Sequence, residues 1–354
     1  MNSPLPHALH ALTPNVHAWL PDGHATWGMA NCVAVTGRSA GSGAVLLVDT
    51  PYTAGMTRHL KQLLDGLGAQ ADAGSGNGDG NAPGPGIRTV VNTHGNGDHS
   101  YGNGLFPGAE IIATEANGEH LCAEPAPAEL AGLIAGSDPG TALGAYMRRH
   151  FGRYGDFGGV RAVHPDRTFS GELELDADGV AVRLVEVGPA HTAGDLIVHL
   201  PEEGVVCAGD VVFNEDHPVH WAGPLESVHR ACLAILDCDP RVVVPGHGPV
   251  MTPAEVRRYA DYLLDLRTAI HRGHQAGRPL PVLAGELIAA DPYPAWGLTE
   301  RMAILAAVEY RALDGETGRP DLVRLVGMAA EFAHRREAAV DGAAAGSVPA
   351  GTGG

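Results

Sequence analysis

Several features that would fix the class of this chain at once are missing. No uninterrupted apolar run approaches the ~20 residues that a membrane span needs. No glycine-rich segment ends in G-K-[ST], so residues 68–86, rich in Gly, Asn, Asp and Pro, are not a phosphate loop. Basic residues are scarce: 23 Lys and Arg stand against 41 Asp and Glu, a formal charge of −18 with no basic block. That argues against nucleic acid or an anionic membrane as partner. The five cysteines are odd in number and lack C-x-x-C spacing, which reads as reduced thiols in a cytoplasmic protein. Cys207, inside an apolar run, reads as packing. Residues 1–10 show no charged segment followed by an apolar stretch, so no secretory signal is expected.

What is present is concentrated. Thr93-His94-Gly95-Asn96-Gly97-Asp98-His99 follows a short apolar run at 87–91 that reads as a buried strand. Two imidazoles and a carboxylate within six residues are costly to leave unpaired in an interior. Together they suit a zinc-like cation. The pattern then recurs. Strand-like runs at 180–187, 204–208 and 242–244 stop at Gly188-Pro189-Ala190-His191, Gly209-Asp210 and Pro245-Gly246-His247. Ligand-type residues at successive strand ends on one sheet edge can converge on one point.

At these residues the chain resembles the metallo-β-lactamase fold superfamily, whose pattern is H-x-H-x-D-H, then a later His, Asp and His. The positions here are His94, Asn96, Asp98, His99, His191, Asp210 and His247, over residues 15–251. One departure stands out: asparagine, a neutral hard donor, occupies the second histidine position. The resemblance implies an αββα sandwich with additional C-terminal helices, and the order of strands and helices is compatible with it. A tail at 1–14, a core domain at 15–252, a helical part at 253–337 and a disordered tail at 338–354 are expected. Within the core domain, 68–86 reads as a flexible insertion and 126–166 as a helix pair or a lid over the site. Residues 168–175 and 180–187 read as one hairpin, 225–236 and 253–271 as helices, and 298–337 as helical with a break at 315–320.

The resemblance further implies that one metal takes His94, His191 and position 96. A second takes Asp98, His99 and His247, and Asp210 bridges. Asp98 and Asp210 are the expected catalytic carboxylates. Zinc, as one or two ions, is the expected cofactor, and the chemistry is acyl transfer to water, so serine-nucleophile chemistry is not expected. His217, His220 and Trp221, from the segment after Asp210, and Tyr146 and Phe151, from the 126–166 region, are the expected substrate contacts. The fragments NTHGNGDHSYGN, GPAHTAGDL and HWAGP are similar to the branch acting in bacterial aromatic polyketide biosynthesis, whose members are cyclases and thioesterases. That likeness implies a small-molecule substrate, borne at times on an acyl carrier protein; a second copy of the chain is a further candidate partner. Arg148, Arg149 and Arg153 form the only dense basic cluster near the lid. Two alternatives stay open. His94, His191 and Asp210 alone would make the 2-His-1-carboxylate iron site of a persulfide dioxygenase, and a generic lactone or ester hydrolase would share the two-metal site. A non-catalytic binding protein on a decayed scaffold is a third class, disfavoured by six intact ligand positions.

The insertion has too little apolar surface to pack, and closure entropy changes only slowly with loop length. A chain shortened within 68–86 should therefore keep its melting temperature and activity. A large drop in melting temperature would show the segment to be structural.

Overall fold

The computed structural model describes residues 4–39, 42–72, 86–121, 124–154 and 157–346. Strands β1 (His10–Thr13), β2 (Val16–Trp19), β3 (Cys32–Thr36) and β4 (Ala44–Val48) lead to helix α1 (Ala54–Asp72). Then come β5 (Thr89–Val91), the one-turn α2 (Gly97–Ser100), β6 (Glu110–Thr114), α3 (Glu115–Leu121), α4 (Pro127–Gly136), α5 (Ala142–His150) and β7 (Arg167–Phe169). The second half runs β8 (Glu172–Asp176), β9 (Ala181–Glu186), β10 (Leu196–Leu200), β11 (Val205–Phe213), α6 (Leu225–Asp237) and β12 (Val242–His247). Helices α7 (Pro253–Gln275), α8 (Leu280–Ala289), α9 (Arg301–Leu313) and α10 (Leu322–Gly346) follow.

The strands form a seven-stranded sheet in the order β1 to β7 and a five-stranded sheet in the order β12-β11-β10-β9-β8. The inner faces meet in a dry layer that joins Val33, Val35, Leu46 and Val91 to Leu184, Leu196, Val198, Cys207 and Val244. Strands β4, β10 and β11 are buried along their whole length, which is why they read as continuous apolar runs and not as alternating ones. Outside the first sheet, α1 and α4 close a second apolar layer with Leu60, Leu64 and Ile134. Outside the other sheet, Val228, Leu263, Ile304 and Ala329 tie α6, α7, α9 and α10 together. The architecture is the αββα sandwich with C-terminal helices. Helix α7 starts where its sequence dictates. Thr252 and Glu255 form a reciprocal capping box, and Pro253 fills the first helical position, which needs no N–H partner.

Several expectations change. The hairpin expected over 168–187 is split. β7 joins the first sheet beside β6, and only β8 pairs with β9. Gly171, at φ +77°, lies where the chain passes between the two sheets. Helix α8, rich in Leu, Val and Ile, was not anticipated; Pro279 is its N-cap and Pro281 lies in its first turn, where a proline needs no N–H partner. Of the disordered tail expected at 338–354, residues 338–346 belong to α10, since Ala-rich sequence costs a helix little, and 347–354 lie outside the described residues. Residues 68–72 end α1, while 73–85 of the expected insertion lie outside the described residues.

Ile304 is fully buried where α7, α9 and α10 meet. Ile304→Ala should cost about 2–5 kcal/mol, as cavity-forming core substitutions do. Urea unfolding should show a lower midpoint with unchanged slope. A variant as stable as the parent would mean that these helices do not share one core with the second sheet.

Candidate metal centre

The site lies along one edge of both sheets, where chain segments end or bend. The loop after β5 carries His94, and α2 carries Asp98 and His99. The turn after β9 carries His191, and β12 ends at His247. Asp210 differs from its expected placing, since it does not end a strand. β11 continues to Phe213, and its pairing with β12 shifts register around Gly209. That bulge aims the carboxylate out of the ladder. Two glycines make room: Gly209 sits at φ +51°, where a β-carbon would run into Thr93, and any side chain on Gly246 would collide with the Asp210 carboxylate.

Two trios of donors result, one of His94, His191 and Asp210 and one of Asp98, His99 and His247. Asp210 faces both. Its Oδ2 lies 3.5 Å from His191 Nε2 and 3.9 Å from His94 Nε2. Its Oδ1 lies 3.2 Å from His99 Nε2 and 3.4 Å from His247 Nε2. Asp98 Oδ2 is 3.4 Å from His247 Nε2. A tetrahedral zinc with bonds of about 2.0–2.2 Å sets its donors about 3.3–3.6 Å apart. These spacings are close to that.

Bonds at the outer nitrogens turn the rings. Thr93 Oγ1 gives its proton to Asp49 Oδ2 at 2.7 Å and so accepts from His94 Nδ1 at 3.0 Å. His99 Nδ1 donates to Asp49 Oδ2 at 2.8 Å, and His191 Nδ1 to the Val219 carbonyl at 2.6 Å. All three thus keep Nε2 pointing inward, the arrangement by which outer partners orient metal-binding imidazoles. His94 Nε2 and Asp210 Oδ1 are buried and make no hydrogen bond. Orphans of this kind in a core call for a ligand.

Asn96 takes part as well. Its Nδ2 donates to Glu124 Oε1 at 3.2 Å, which fixes the amide so that Oδ1 faces His191 Nε2 at 2.7 Å. Burial pulls His191 down to about 4, against the pull of Asp210, so at pH 7 the ring is neutral. With its one proton given to Val219, Nε2 has none for Asn96. Two lone pairs therefore face each other, and a cation relieves that conflict. The donor set fits a metal on these grounds.

Protonation divides the cluster. Burial, and then His99, push His94 well below the usual imidazole range. Burial also opposes charge on His99 and His247, but neighbouring carboxylates outweigh it. Asp210, Asp49 and Asp98 hold His99 well above its ordinary value, and Asp210 and Asp98 lift His247 to about 9. In return, Asp210 is kept ionised against its burial by His247 and His99.

The other sequence-predicted residues divide. Trp221 and Phe151 line the cavity at the metal edge, about 140 Å³, together with Trp27, Phe213, Asn96 and Arg301. His217, His220 and Tyr146 do not line it. His217 is buried between Tyr262 and Asp291, His220 bonds the Tyr259 hydroxyl, and Tyr146 accepts from Trp27 Nε1 and donates to Glu300. Their polar atoms tie the loop after β11, and α5, to the helical layer. Of the basic cluster, Arg149 pairs with Glu337, and Arg148 bonds the carbonyls of Ala135 and Ser137. A Gly-x-Ser-x-Gly string does occur at 37–41, but it joins two antiparallel strands, and Ser39 donates to Asp178. It is not the strand-to-helix turn that exposes a serine nucleophile.

Sequence reasoning missed Asp49, Glu124, Trp27 and Arg301. Asp49 had a signal, since it ends the run at 44–48 by the same rule as the ligands. The others had none.

The metallo-beta-lactamase superfamily model matches residues 25–247, well over half of the chain. The chain belongs to this superfamily. Its members are mostly metallo-hydrolases that bind one or two zinc ions. Among solved structures, the chain is similar to the inverting sec-alkylsulfatase Pisa1 from Pseudomonas sp. They are 16% identical with a TM-score of 0.59, over 86% of this chain and 50% of that one. It is also similar to the DIM-1 metallo-beta-lactamase exposed to ceftazidime, 15% identical with a TM-score of 0.51, over 75% of this chain and 99% of that one. At these identities the likeness is one of fold, and the chain spans half the length of the alkylsulfatase. No curated protein matches the chain in sequence. Among the described residues, no helix is long and apolar enough to cross a membrane.

Since His247 is lifted to about 9, it is an imidazolium at pH 7 in the metal-free chain, and a cation must displace its extra proton. Zinc binding at pH 7 should therefore release protons, and affinity should rise as the pH approaches about 9. Calorimetry in two buffers of different ionisation enthalpy measures this. Heats that do not depend on the buffer would show that the imidazoles are already neutral.

Proposed function

We propose that this protein is a metal-dependent hydrolase of acyl esters and thioesters on an aromatic skeleton, a cyclase or thioesterase of aromatic polyketide biosynthesis. One observation supports this reading above the others: the wall of the metal-edge cavity is aromatic. Trp27 lies 6.0 Å from Trp221, near parallel, and 5.7 Å from Phe151. Such rings hold a planar acyl group by offset and edge contacts. The sequence likeness in the first metal loop and in the HWAGP segment supports the polyketide branch in particular.

His94, His191, Asp210 and the Asn96 amide would hold one cation, and Asp98, His99, His247 and Asp210 the other. When bound, such cations lower the pKa of water from about 16 to about 7 and polarise a carbonyl oxygen. The chain's residues supply the rest. In the metal-free chain burial opposes ionisation of Asp98, but His99 and then His247 outweigh it, and a cation that displaced their protons would hold the carboxylate charged in their stead. Asp98 borders the cavity, with one oxygen facing His247. The other oxygen can orient the attacking water and accept its proton as the water oxygen bonds to the acyl carbon. The carbon–sulfur or carbon–oxygen bond then breaks, and the leaving group departs as thiolate or alkoxide. Trp27, Phe151 and Trp221 exclude bulk water from this step. Iron held by His94, His191 and Asp210 is a second reading, favoured by the two-histidine, one-carboxylate composition of that trio. Metal analysis of the purified protein separates the two: zinc with thioester hydrolysis, or iron with oxygen consumption.

Asn96→His should tighten zinc binding at the first trio. It should also lower turnover of an aromatic acyl thioester about tenfold or more, because a stronger, bulkier donor takes the place that the substrate carbonyl needs. Hydrolysis of a small ester should be kept. Metal titration with steady-state kinetics on both substrates tests this, and a rise on both would mark Asn96 as a tolerated defect.

A further inference from the structure

Arg301 opens α9 and is 2% exposed, yet it borders the metal-edge cavity beside Asp210, Phe213 and His247. A guanidinium cannot shed its charge, so burying one demands compensation. Little is present. Among the described residues, no carboxylate lies within ion-pair distance of it. Nη1 donates to the His217 carbonyl at 3.1 Å, and Nε is buried with no partner. The neighbouring Glu300 is engaged elsewhere, by the Tyr146 hydroxyl and by Arg336. The guanidinium lies instead over the Trp27 ring, 4.0 Å from its centre, with Phe213 at 5.5 Å. Stacking on two rings holds the planar fork but does not use its hydrogen-bonding edge.

The fork is also held in place from outside. The loop before α9 is stitched to the loop after β11, with His217 N donating to Gly297 O at 2.9 Å and Gly297 N to Glu215 O at 2.9 Å. Leu298, at φ +58°, is the residue strained by that path. The appended helices therefore carry one fixed, under-compensated cation to the rim of the metal centre.

We propose that Arg301 recognises a carboxylate carried by the substrate, so that the preferred substrates are aryl thioesters or esters bearing a second, unreacted carboxylate. The inference rests on the hydrolase reading for the reaction, but its recognition step stands on binding alone. Arg301 is here a specificity-determining residue and takes no proton.

The test has two arms on the zinc-loaded protein. In the first, binding of 2-naphthoate and of its neutral isostere 2-naphthamide is followed by tryptophan fluorescence, with Trp27 and Trp221 in the cavity wall. Arg301→Gln should weaken 2-naphthoate at least tenfold and leave 2-naphthamide within twofold. Arg301→Lys, which keeps the charge and loses the fork, should fall between, and it serves if the glutamine variant does not fold. In the second arm, a carboxylate-bearing benzoyl thioester and its methyl ester are compared, and the variant should raise KM for the first only. Unchanged 2-naphthoate affinity, or equal weakening of both ligands, overturns the proposal. Absence of hydrolysis with intact carboxylate binding overturns the hydrolase reading and leaves the recognition role standing.

Discussion

The structure depends on a buried conflict of charge. Four imidazoles and the Asp98 and Asp210 carboxylates converge at one sheet edge, where the donor atoms crowd within 4.8 Å in each trio. In a dry interior such a group cannot be solvated, so it survives only if the scaffold fixes every member. The fold does this from outside the cluster. Asp49 holds both the Thr93–His94 pair and His99, and the Val219 carbonyl holds His191. Close approach of β11 and β12 around Gly209 and Gly246 sets Asp210 between the two trios.

The rest of the molecule can be understood as support for that edge. The inter-sheet layer packs apolar side chains of both sheets against each other, and such packing keeps the residues at its edge in register. The helical layer outside the second sheet does more than cover it. Through Tyr146, His217 and Glu300 it anchors α5, the loop after β11 and the start of α9. The residues that line the cavity are carried on those same elements. The aromatic wall and the single guanidinium thus come from segments added around a metal-binding core, and segments of this kind can vary the substrate without disturbing the ligands.

Asn96 shows how one departure from a pattern gains meaning from its neighbours. As a letter in the sequence it marks a weaker donor. In the fold its amide is clamped by Glu124, itself bonded to His120 at 2.7 Å, and its oxygen is directed at His191. A histidine there would lose the Glu124 clamp along with the neutral oxygen, so more than one ligand distinguishes the two residues.

The sequence by itself determined the loop at 93–99, the candidate ligand set and the order of strands, because each candidate lies beside a local signal: an apolar run that stops and a glycine close by. Asp49 was legible by the same rule and was overlooked. The bulge that aims Asp210, the split of the expected hairpin between two sheets and the continuation of α10 depended on pairing and packing partners distant in the chain. Tertiary structure alone decided which histidines after Asp210 face the site. His217 and His220 have the same composition as ligands, but their backbone path turns them into the helical layer. It also brought Arg301 to the cavity from the other end of the chain. Local pattern records what a segment can form; which of its faces meets a distant helix is set by the burial of both.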